Sequence, residues 1–366
     1  MTHLESLHWT RTGSLTDRLV LSIFANMKCL RTLEVTGDSR FYSPRLLADN
    51  VPRTVTRLAV VLPDRTFGAC IVRMAETLPL ESFSIVALQS SVVTDDMLAH
   101  IAPHVRGLRR LVLAGCKAVR GAGVLEILRS AAVSELSLEG LAISVDMLAA
   151  LSTHLDSLQS LTLTHPPGNG DAFFGVLEGI VNRIPLQRLV LYAVGGSPPV
   201  LAGERSDDRV LALPGPNAQP HAGQDTSANP ALTTSFVKRL VFGRSSRLRM
   251  LRVHGIAMSL YQLQMISCST LSDTLEDMVV HLYDGDFDML AASVLRCRSL
   301  RLLHVQSHLR SDAHFSEDQF AELAAEASSL RYLGYRNRMW HVVDGALYPW
   351  DMSAGVIPET MMLVRV

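Results

Sequence analysis

The stretch Leu108-Arg-Arg-Leu-Val-Leu-Ala-Gly-Cys116 carries the pattern that determines the fold of this chain. Its apolar and variable residues alternate, which is typical of a short β-strand with one buried face. In the following residues, 119–128, the side chains of Val124, Leu125 and Leu128 have the spacing of one stripe of a helix. Together the two halves predict a strand and a helix within one unit of about 26 residues.

The same Leu-x-x-Leu-x-Leu pattern, with conservative replacements, occurs twelve times in the 366 residues. Consecutive units begin 25 to 30 residues apart, except for one step of 62. The units begin at Leu4, Leu30, Val55, Leu80, Leu108, Val133, Leu158, Leu186, Leu248, Leu275, Leu300 and Leu330. A strand and a helix of this size cannot bury both apolar faces alone, so the units must stack lengthwise.

Stacking also predicts the shape of the molecule. Neighbouring strands lie about 4.8 Å apart, whereas packed helices lie roughly 8–10 Å apart, so the stack must curve with the strands inside. The sequence therefore predicts an α/β leucine-rich-repeat solenoid, a horseshoe with parallel strands on the concave face and helices on the convex face.

Several helix starts are visible as a Ser or Thr followed by acidic residues. Thr94, Ser144 and Ser316 each precede such a first turn, and Asp286 begins a looser version. A hydroxyl at this position can accept hydrogen bonds from the first free amides of a helix, and the acids favour its positive end. We expect Thr94, Ser144 and Ser316 to be N-caps.

The repeats resemble the cysteine-containing subclass of leucine-rich repeats in the ribonuclease-inhibitor-like superfamily. That subclass is typified by Leu-x-x-Leu-x-Leu-x-x-Cys, matched from Leu108 to Cys116, and by Ile-Thr-Asp-x-Gly-Leu, matched in part by Val93-Thr-Asp-Asp-Met-Leu98. The array is also similar to the repeat region of fungal F-box and leucine-rich-repeat proteins. This resemblance implies a non-catalytic module for protein–protein recognition, the substrate-recognition part of an F-box-type (SCF) ubiquitin-ligase receptor.

One departure from that family is that an F-box normally precedes the repeats, whereas the first unit here begins at Leu4. Either the protein consists of repeats only or an N-terminal segment is missing, and the SCF adaptor is a partner only if an upstream F-box exists. The alternative is a leucine-rich-repeat GTPase-activating or enzyme-inhibitor protein. Such proteins resemble longer repeats with asparagine in the turn, so the frequent 25-residue step favours the first interpretation.

Two segments break the repeat pattern. Residues 195–230 are rich in proline, glycine and small polar residues, which predicts a flexible insertion within a solenoid that spans residues 1–337. A helix is expected to resume at 232–242. Residues 338–366 lose the leucine pattern but keep Trp340, Trp350 and other apolar side chains, so we expect them to form a C-terminal cap.

The variable residues between and just after the strand leucines should face the concave side. Arginine, tyrosine and histidine concentrate there after the insertion, and arginine and tyrosine are common anchors of protein interfaces. The predicted partner-binding residues are Arg188, Tyr192, Arg252, His254, Asp277, His281, His304, Tyr332 and Arg336. His254 and His281 occupy the same position in adjacent units and are expected to be neighbours. No carboxylate or cysteine is fixed beside them by spacing, so a metal site is not predicted.

Composition excludes other classes of function. A net charge of -1 argues against general binding of nucleic acid or anionic membrane. No apolar run is long enough for a transmembrane helix, and the first residues do not resemble a signal peptide. Phosphate-binding, nucleophile-elbow and zinc-protease motifs are absent, so we expect neither enzymatic activity nor a cofactor. The five scattered cysteines are typical of reduced core residues, which predicts an intracellular protein, cytoplasmic or nuclear.

Overall fold

The computed structural model describes residues 3–10, 15–193, 230–245, 247–283, 285–307 and 315–350. Within these ranges fourteen strands form one open sheet whose spatial order follows the chain order. The strands are β1 (Ser6–Trp9), β2 (Thr32–Thr36), β3 (Arg57–Val61), β4 (Ser82–Thr94), β5 (Arg110–Ala118), β6 (Glu135–Glu139), β7 (Ser160–His165), β8 (Arg188–Ala193), β9 (Met250–Met258), β10 (Asp277–Leu282), β11 (Leu302–Ser307), β12 (Tyr332–Tyr335), β13 (Arg338–Val343) and β14 (Ala346–Pro349).

The strands β1 to β12 coincide with the twelve units of the sequence and pair in parallel with their neighbours. An α-helix follows each of the first eleven. The helices are α1 (Asp17–Asn26), α2 (Pro44–Asn50), α3 (Arg65–Thr77), α4 (Asp95–Ile101), α5 (Ala122–Ser130), α6 (Val145–Ser152), α7 (Gly170–Arg183), α8 (Thr234–Phe242), α9 (Leu260–Ser267), α10 (Phe287–Arg296) and α11 (Glu317–Glu326). The predicted α/β leucine-rich-repeat solenoid is confirmed.

A column of apolar side chains runs through the molecule between the sheet and the helices. Leu111 is in register with Leu136, which is in register with Leu161, and all three are at most 3% exposed. Each such side chain contributes about 1.5–3 kcal/mol by leaving water. Because each unit supplies one layer of this column, every unit depends on its neighbours for burial.

The N-caps predicted at Thr94, Ser144 and Ser316 are confirmed, and Asp286 caps α10 in the same way. The hydroxyls of Thr94 and Ser144 accept hydrogen bonds from the third amide of α4 and α6, and the carboxylate of Asp286 does the same for α10. Ser316 forms a complete capping box with Gln319, in which each side chain accepts a hydrogen bond from the other residue's backbone amide. The helix expected at 232–242 is α8, which begins at Thr234.

In several units the chain turns through a left-handed residue that lies in the second half of the strand or directly after it. Gly115 has φ +65°, and Leu62, Gly140 and Gly255 hold a positive φ at the same place in their units. At Gly115 an added Cβ would lie only 1.8 Å from the carbonyl oxygen of Ala87 in the preceding unit. The glycine is therefore required both by its own backbone conformation and by the close approach of the neighbouring turn.

The last two strands change the direction of the sheet. β13 pairs antiparallel with β12, and β14 pairs antiparallel with β13. Trp340 of β13 is 3% exposed and lies on Phe320 of α11, with ring centroids 6.5 Å apart. The cap predicted over residues 338–366 is described only as far as residue 350 and stays a prediction, and the insertion 195–230 lies outside the described residues except for Pro230.

The prediction that all five cysteines lie in the core is wrong for two of them. Cys70, Cys116 and Cys297 are buried, but Cys29 and Cys268 are exposed. Cys29 lies in the turn between α1 and β2, and Cys268 is the C-cap of α9. No helix among the described residues is both long and apolar enough to cross a bilayer.

The strand-to-helix turns predict a difference between two glycine substitutions. Gly168→Ala places a Cβ on a residue with φ +82° but with no atom within 4 Å, so it should cost only the left-handed conformation, about 1 kcal/mol. Gly115→Ala adds a clash with backbone and should lower the free energy of unfolding by about 3 kcal/mol or more. Urea unfolding followed by circular dichroism measures both. Equal losses for the two variants would contradict the role given to the neighbouring turn.

Candidate recognition face

The face of the sheet opposite the helices, here called the concave face, carries the residues between the core leucines. In the C-terminal half these form a lower row (Arg188, Met250, Asp277, Leu302, Tyr332), a middle row (Val190, Arg252, Val279, His304, Gly334) and an upper pair (Tyr192, His254) in register across the strands. Of the nine predicted partner-binding residues, eight lie in strands β8 to β12 and Arg336 directly follows β12. The rows bring these side chains into contact in distinct groups.

Arg252 and Asp277 form a buried ion pair across β9 and β10. The guanidinium donates from Nε to Oδ1 at 2.9 Å and from Nη2 to Oδ2 at 2.6 Å, the fork geometry of a bidentate pair. The side chains are only 3% and 7% exposed. Little of either group is therefore available to a partner, and the pair acts within the protein.

Tyr192 and His254 stack on each other on adjacent strands. Their ring centroids lie 4.7 Å apart and the ring planes differ by 12°. Burial raises the pKa of the Tyr192 hydroxyl, and the nearby Glu139 carboxyl raises it further. Burial also raises the pKa of Glu139, although the hydrogen bond that its carboxylate accepts from Ser137, at 2.7 Å, opposes that shift. This part of the concave face is thus poorly hydrated.

His254 is held neutral in this environment. Burial, and then the positive charge of Arg252, lower the pKa of the imidazole to about 3. Its Nε2 atom is buried and has no hydrogen-bond partner among the described residues. A buried imidazole without a partner cannot be protonated without a large desolvation cost, so His254 carries no charge near neutral pH.

His304 is neutral for a related reason and has a defined tautomer. Its Nε2 donates a hydrogen bond to the carbonyl oxygen of Arg336 at 2.8 Å, while burial lowers its pKa. The ring lies over Gly334 of β12, where an added Cβ would be 2.8 Å from the ring Cδ2 and 2.3 Å from the sulfur of Met339. The absence of a side chain at Gly334 therefore makes room for the imidazole.

His254 and His281, expected to be neighbours, are not register partners, although the charge of His281 still acts on His254. β9 pairs with β10 regularly as far as Arg252 and Val279, but the register then shifts and His281 pairs with Ala257. Gly255, with φ +68°, lies within the extra residues of β9. Among the described residues there is no group of three or more His, Cys, Asp or Glu side chains arranged to hold a metal ion.

Sequence reasoning missed that much of this face is apolar. Val190, Met250, Val279 and Leu302 are between 2% and 8% exposed, although they lie on the side away from the helices. The signal was present, because these four apolar residues occupy the variable strand positions in consecutive units. The concave face of β8 to β11 is therefore a second packed layer that surrounds the Arg252–Asp277 pair.

An aromatic group at the end of the sheet was also missed as a candidate site. The rings of Tyr332 and His341 stack 5.3 Å apart, and Trp350 meets both edge-on at 5.5 and 6.3 Å. Tyr348 is in register with His341 on β14 and is 55% exposed. We call Tyr332, His341, Tyr348 and Trp350 the C-terminal aromatic patch. Its members lie on or next to β12, β13 and β14, which pair antiparallel, and the repeat pattern alone does not reveal this.

Comparison with known proteins adds little to this description. No protein-family model and no curated protein matches the chain. Among solved structures it is similar to the leucine-rich repeat-containing protein LegL7 from Legionella pneumophila, with a TM-score of 0.44 and 13% sequence identity over 88% of this chain and 97% of that chain. The fold assignment rests on the strand order and register given above.

The buried ion pair predicts unequal effects for two carboxylate deletions. Asp277→Ala leaves the Arg252 guanidinium buried without its counter-charge and should lower the free energy of unfolding by about 3–5 kcal/mol. Glu135→Ala removes the partner of Arg110 in an exposed pair that also joins adjacent strands, and should cost less than about 1 kcal/mol. Chemical denaturation of both variants tests this. A Glu135→Ala loss as large as that of Asp277→Ala would contradict it.

The neutral state of His254 predicts an acid-sensitive contribution to stability. Its pKa is about 3 in the folded chain against an ordinary 6.5, so its contribution is fully present above about pH 6.5 and is lost as the pH falls towards 3. From about pH 7.5 to about pH 5 this loss amounts to about 2 kcal/mol. His254→Phe can keep the stack on Tyr192 without titrating, so its stability should fall by that much less over the same range. Identical pH dependence of the two proteins in urea unfolding would refute the assignment.

Proposed function

We propose that this chain is a non-catalytic recognition scaffold that binds a protein partner through its concave face. The observation that carries the proposal is the ordering of that face. Twelve parallel strands present it as one continuous surface, and in β8 to β11 its polar side chains are fixed by stacking, by a bidentate ion pair and by a hydrogen bond to backbone. A surface that is already ordered loses less conformational entropy on binding.

The predicted binding residues then divide into two roles. We propose that Arg252, Asp277, Tyr192 and His254 hold the face in shape, because their contacts are internal. Arg188 is exposed at the start of β8 and is the best placed of the nine to touch a partner. Tyr332, His281, His304 and Arg336 are partly exposed and contribute at the border of the packed layer.

The same contacts favour binding over catalysis. A general acid or base needs a titratable group that is free to exchange a proton with the substrate. The Asp277 carboxylate is held by Arg252, and the His304 Nε2–H is held by a carbonyl oxygen. We therefore assign no chemical step, and no cofactor, to this face.

A finer proposal rests on the resemblance of the repeats to those of F-box proteins. In that version the bound protein is a client for ubiquitin transfer, the chain is the substrate-recognition part of an SCF-type receptor, and it works in the cytoplasm or nucleus. The fold is compatible with this role and equally with other protein-binding roles.

A photo-crosslinking experiment tests the recognition face. The photoreactive residue p-benzoylphenylalanine is placed at Arg188 on the concave face or, as the matched control, at Lys238, which is exposed on α8 of the convex face. In cells that produce the chain, a discrete crosslinked protein should form at position 188 and not at 238, and Arg188→Glu should reduce its recovery in pull-downs by about tenfold. Crosslinking at 238 alone would place the partner on the helices and sink the proposal.

The same samples separate the general proposal from the finer one. Recovery of the ubiquitin-ligase adaptor together with the position-188 partner would support the F-box role. A position-188 partner without the adaptor would remove that role and leave the recognition scaffold intact.

A further inference from the structure

The C-terminal aromatic patch differs from the packed layer of β8 to β11 in being partly open to solvent. Tyr348 is 55% exposed, and Tyr332, His341 and Trp350 are half-buried, with their three rings in contact in both stacked and edge-on geometry. By contrast, Leu302, the register neighbour of Tyr332 on β11, is only 5% exposed. Exposed aromatic rings that are already held by neighbours can bury a large apolar area at little entropic cost.

Two exposed arginines lie at the start of β11 and of β12, the strand that carries Tyr332. Arg301 and Arg331 precede β11 and β12 by one residue, are exposed, and are joined by a hydrogen bond from the Arg331 amide to the Arg301 carbonyl oxygen at 2.8 Å. Neither guanidinium forms an ion pair with a described residue. Two acids at this end are engaged, because Glu276 pairs with Arg249 at 2.5 Å and Glu317 pairs with Arg338 at 3.0 Å, whereas Asp344, in the turn between β13 and β14, forms no ion pair with a described residue.

We propose that the C-terminal aromatic patch, together with Arg301 and Arg331, binds an extended acidic peptide segment that carries an aromatic residue. This rests on the proposed recognition function and narrows it to one site and one class of partner. The aromatic residue of the segment packs on Tyr332, Tyr348 and Trp350, and its Asp or Glu side chains face the two arginines.

The dimensions fit an extended segment. Neighbouring strands lie about 4.8 Å apart, so the backbones of Arg301 and Arg331 have about that spacing. Each of them carries one guanidinium on a flexible side chain. Alternate side chains of an extended peptide lie roughly 6.5–7 Å apart on one side, a distance that two flexible arginine side chains can match. The rings supply affinity by burial, while the charges select the partner and its orientation.

Single-stranded nucleic acid also combines stacking with negative charge, but the charges here do not favour it. Binding to a phosphate backbone typically uses about 6–10 contacts to cationic groups. Near the patch, Arg298, Arg301 and Arg331 are the exposed arginines without an ion pair among the described residues, and the whole chain has a net charge of -1. A short acidic peptide needs only two or three such contacts.

Selection from a random dodecapeptide display library on the purified full chain tests the proposal. The selected pool should be enriched in Asp and Glu around one Trp, Tyr or Phe. The most enriched peptide, labelled with fluorescein, is then titrated by fluorescence anisotropy. Arg301→Glu/Arg331→Glu should weaken its binding by about tenfold or more because two attractive contacts become repulsive, and Tyr348→Ala should weaken it by about fivefold.

Matched controls separate the site from general effects of charge or ring loss. Arg31 is exposed and precedes β2 by one residue, as Arg301 precedes β11, so Arg31→Glu should change binding less than about twofold. Tyr261 is 59% exposed on α9, and Tyr261→Ala should likewise change the affinity for the peptide less than about twofold. Circular dichroism on each variant verifies folding.

Several outcomes would overturn the proposal. In the selection, these are the recovery of no binding peptide and a pool without enrichment in acidic residues. In the titration, they are an unchanged affinity of the peptide for Arg301→Glu/Arg331→Glu and a higher affinity of the chain for a thymidine oligonucleotide than for the selected peptide. If the selected peptide loses affinity with Arg188→Glu but not with Arg301→Glu/Arg331→Glu, the partner binds elsewhere on the concave face. The proposed recognition function would then stand while this site would not.

Discussion

The structure depends on one constraint, which is that no unit of this chain can bury its own apolar residues. A strand of 4 to 13 residues and a helix of 7 to 14 residues leave the inner side of each open, and only the next unit can cover it. The backbone hydrogen bonds between parallel strands fix the distance of that next unit, and the leucine column fixes its register. Fold, curvature and the existence of a free strand face all follow from this pairing.

The pairing also determines which positions are free to vary. Residues that point into the column must stay apolar, whereas the residues between them face away from the helices and have no fixed partner. In β8 to β11 those positions hold Val190, Met250, Val279 and Leu302, which turn an expected polar surface into a second packed layer. A charged pair inside that layer can exist only because Arg252 and Asp277 satisfy each other.

Features that depend only on residues within one unit are predicted well from the sequence. Strand and helix order, the N-caps at Thr94, Ser144 and Ser316, and the resumption of a helix after the insertion all depend on residues a few positions apart, and all are confirmed. Features that depend on neighbouring units were harder to predict. The burial of Arg252, the stacking of Tyr192 on His254 and the register shift that pairs His281 with Ala257 arise between residues 24 to 62 positions apart in the chain. The aromatic patch was hidden for the same reason, since it needs the antiparallel return of β13 and β14.

The buried ion pair depends both on the sequence of single units and on the pairing between neighbouring units. Arg252 and Asp277 join β9 and β10 just before the register between these strands shifts. An apolar pair of similar volume would fill the same space, and often with equal or greater stability, but it would pack in more than one orientation. A bidentate pair is satisfied in one geometry only, because both N–H groups must reach both carboxylate oxygens. Beyond the shift, Ala257 bonds through its backbone to Pro230 and Leu232, where the described chain resumes after the insertion. The pair thus satisfies both of its charges inside the packed layer, next to the place where the described chain resumes after the insertion.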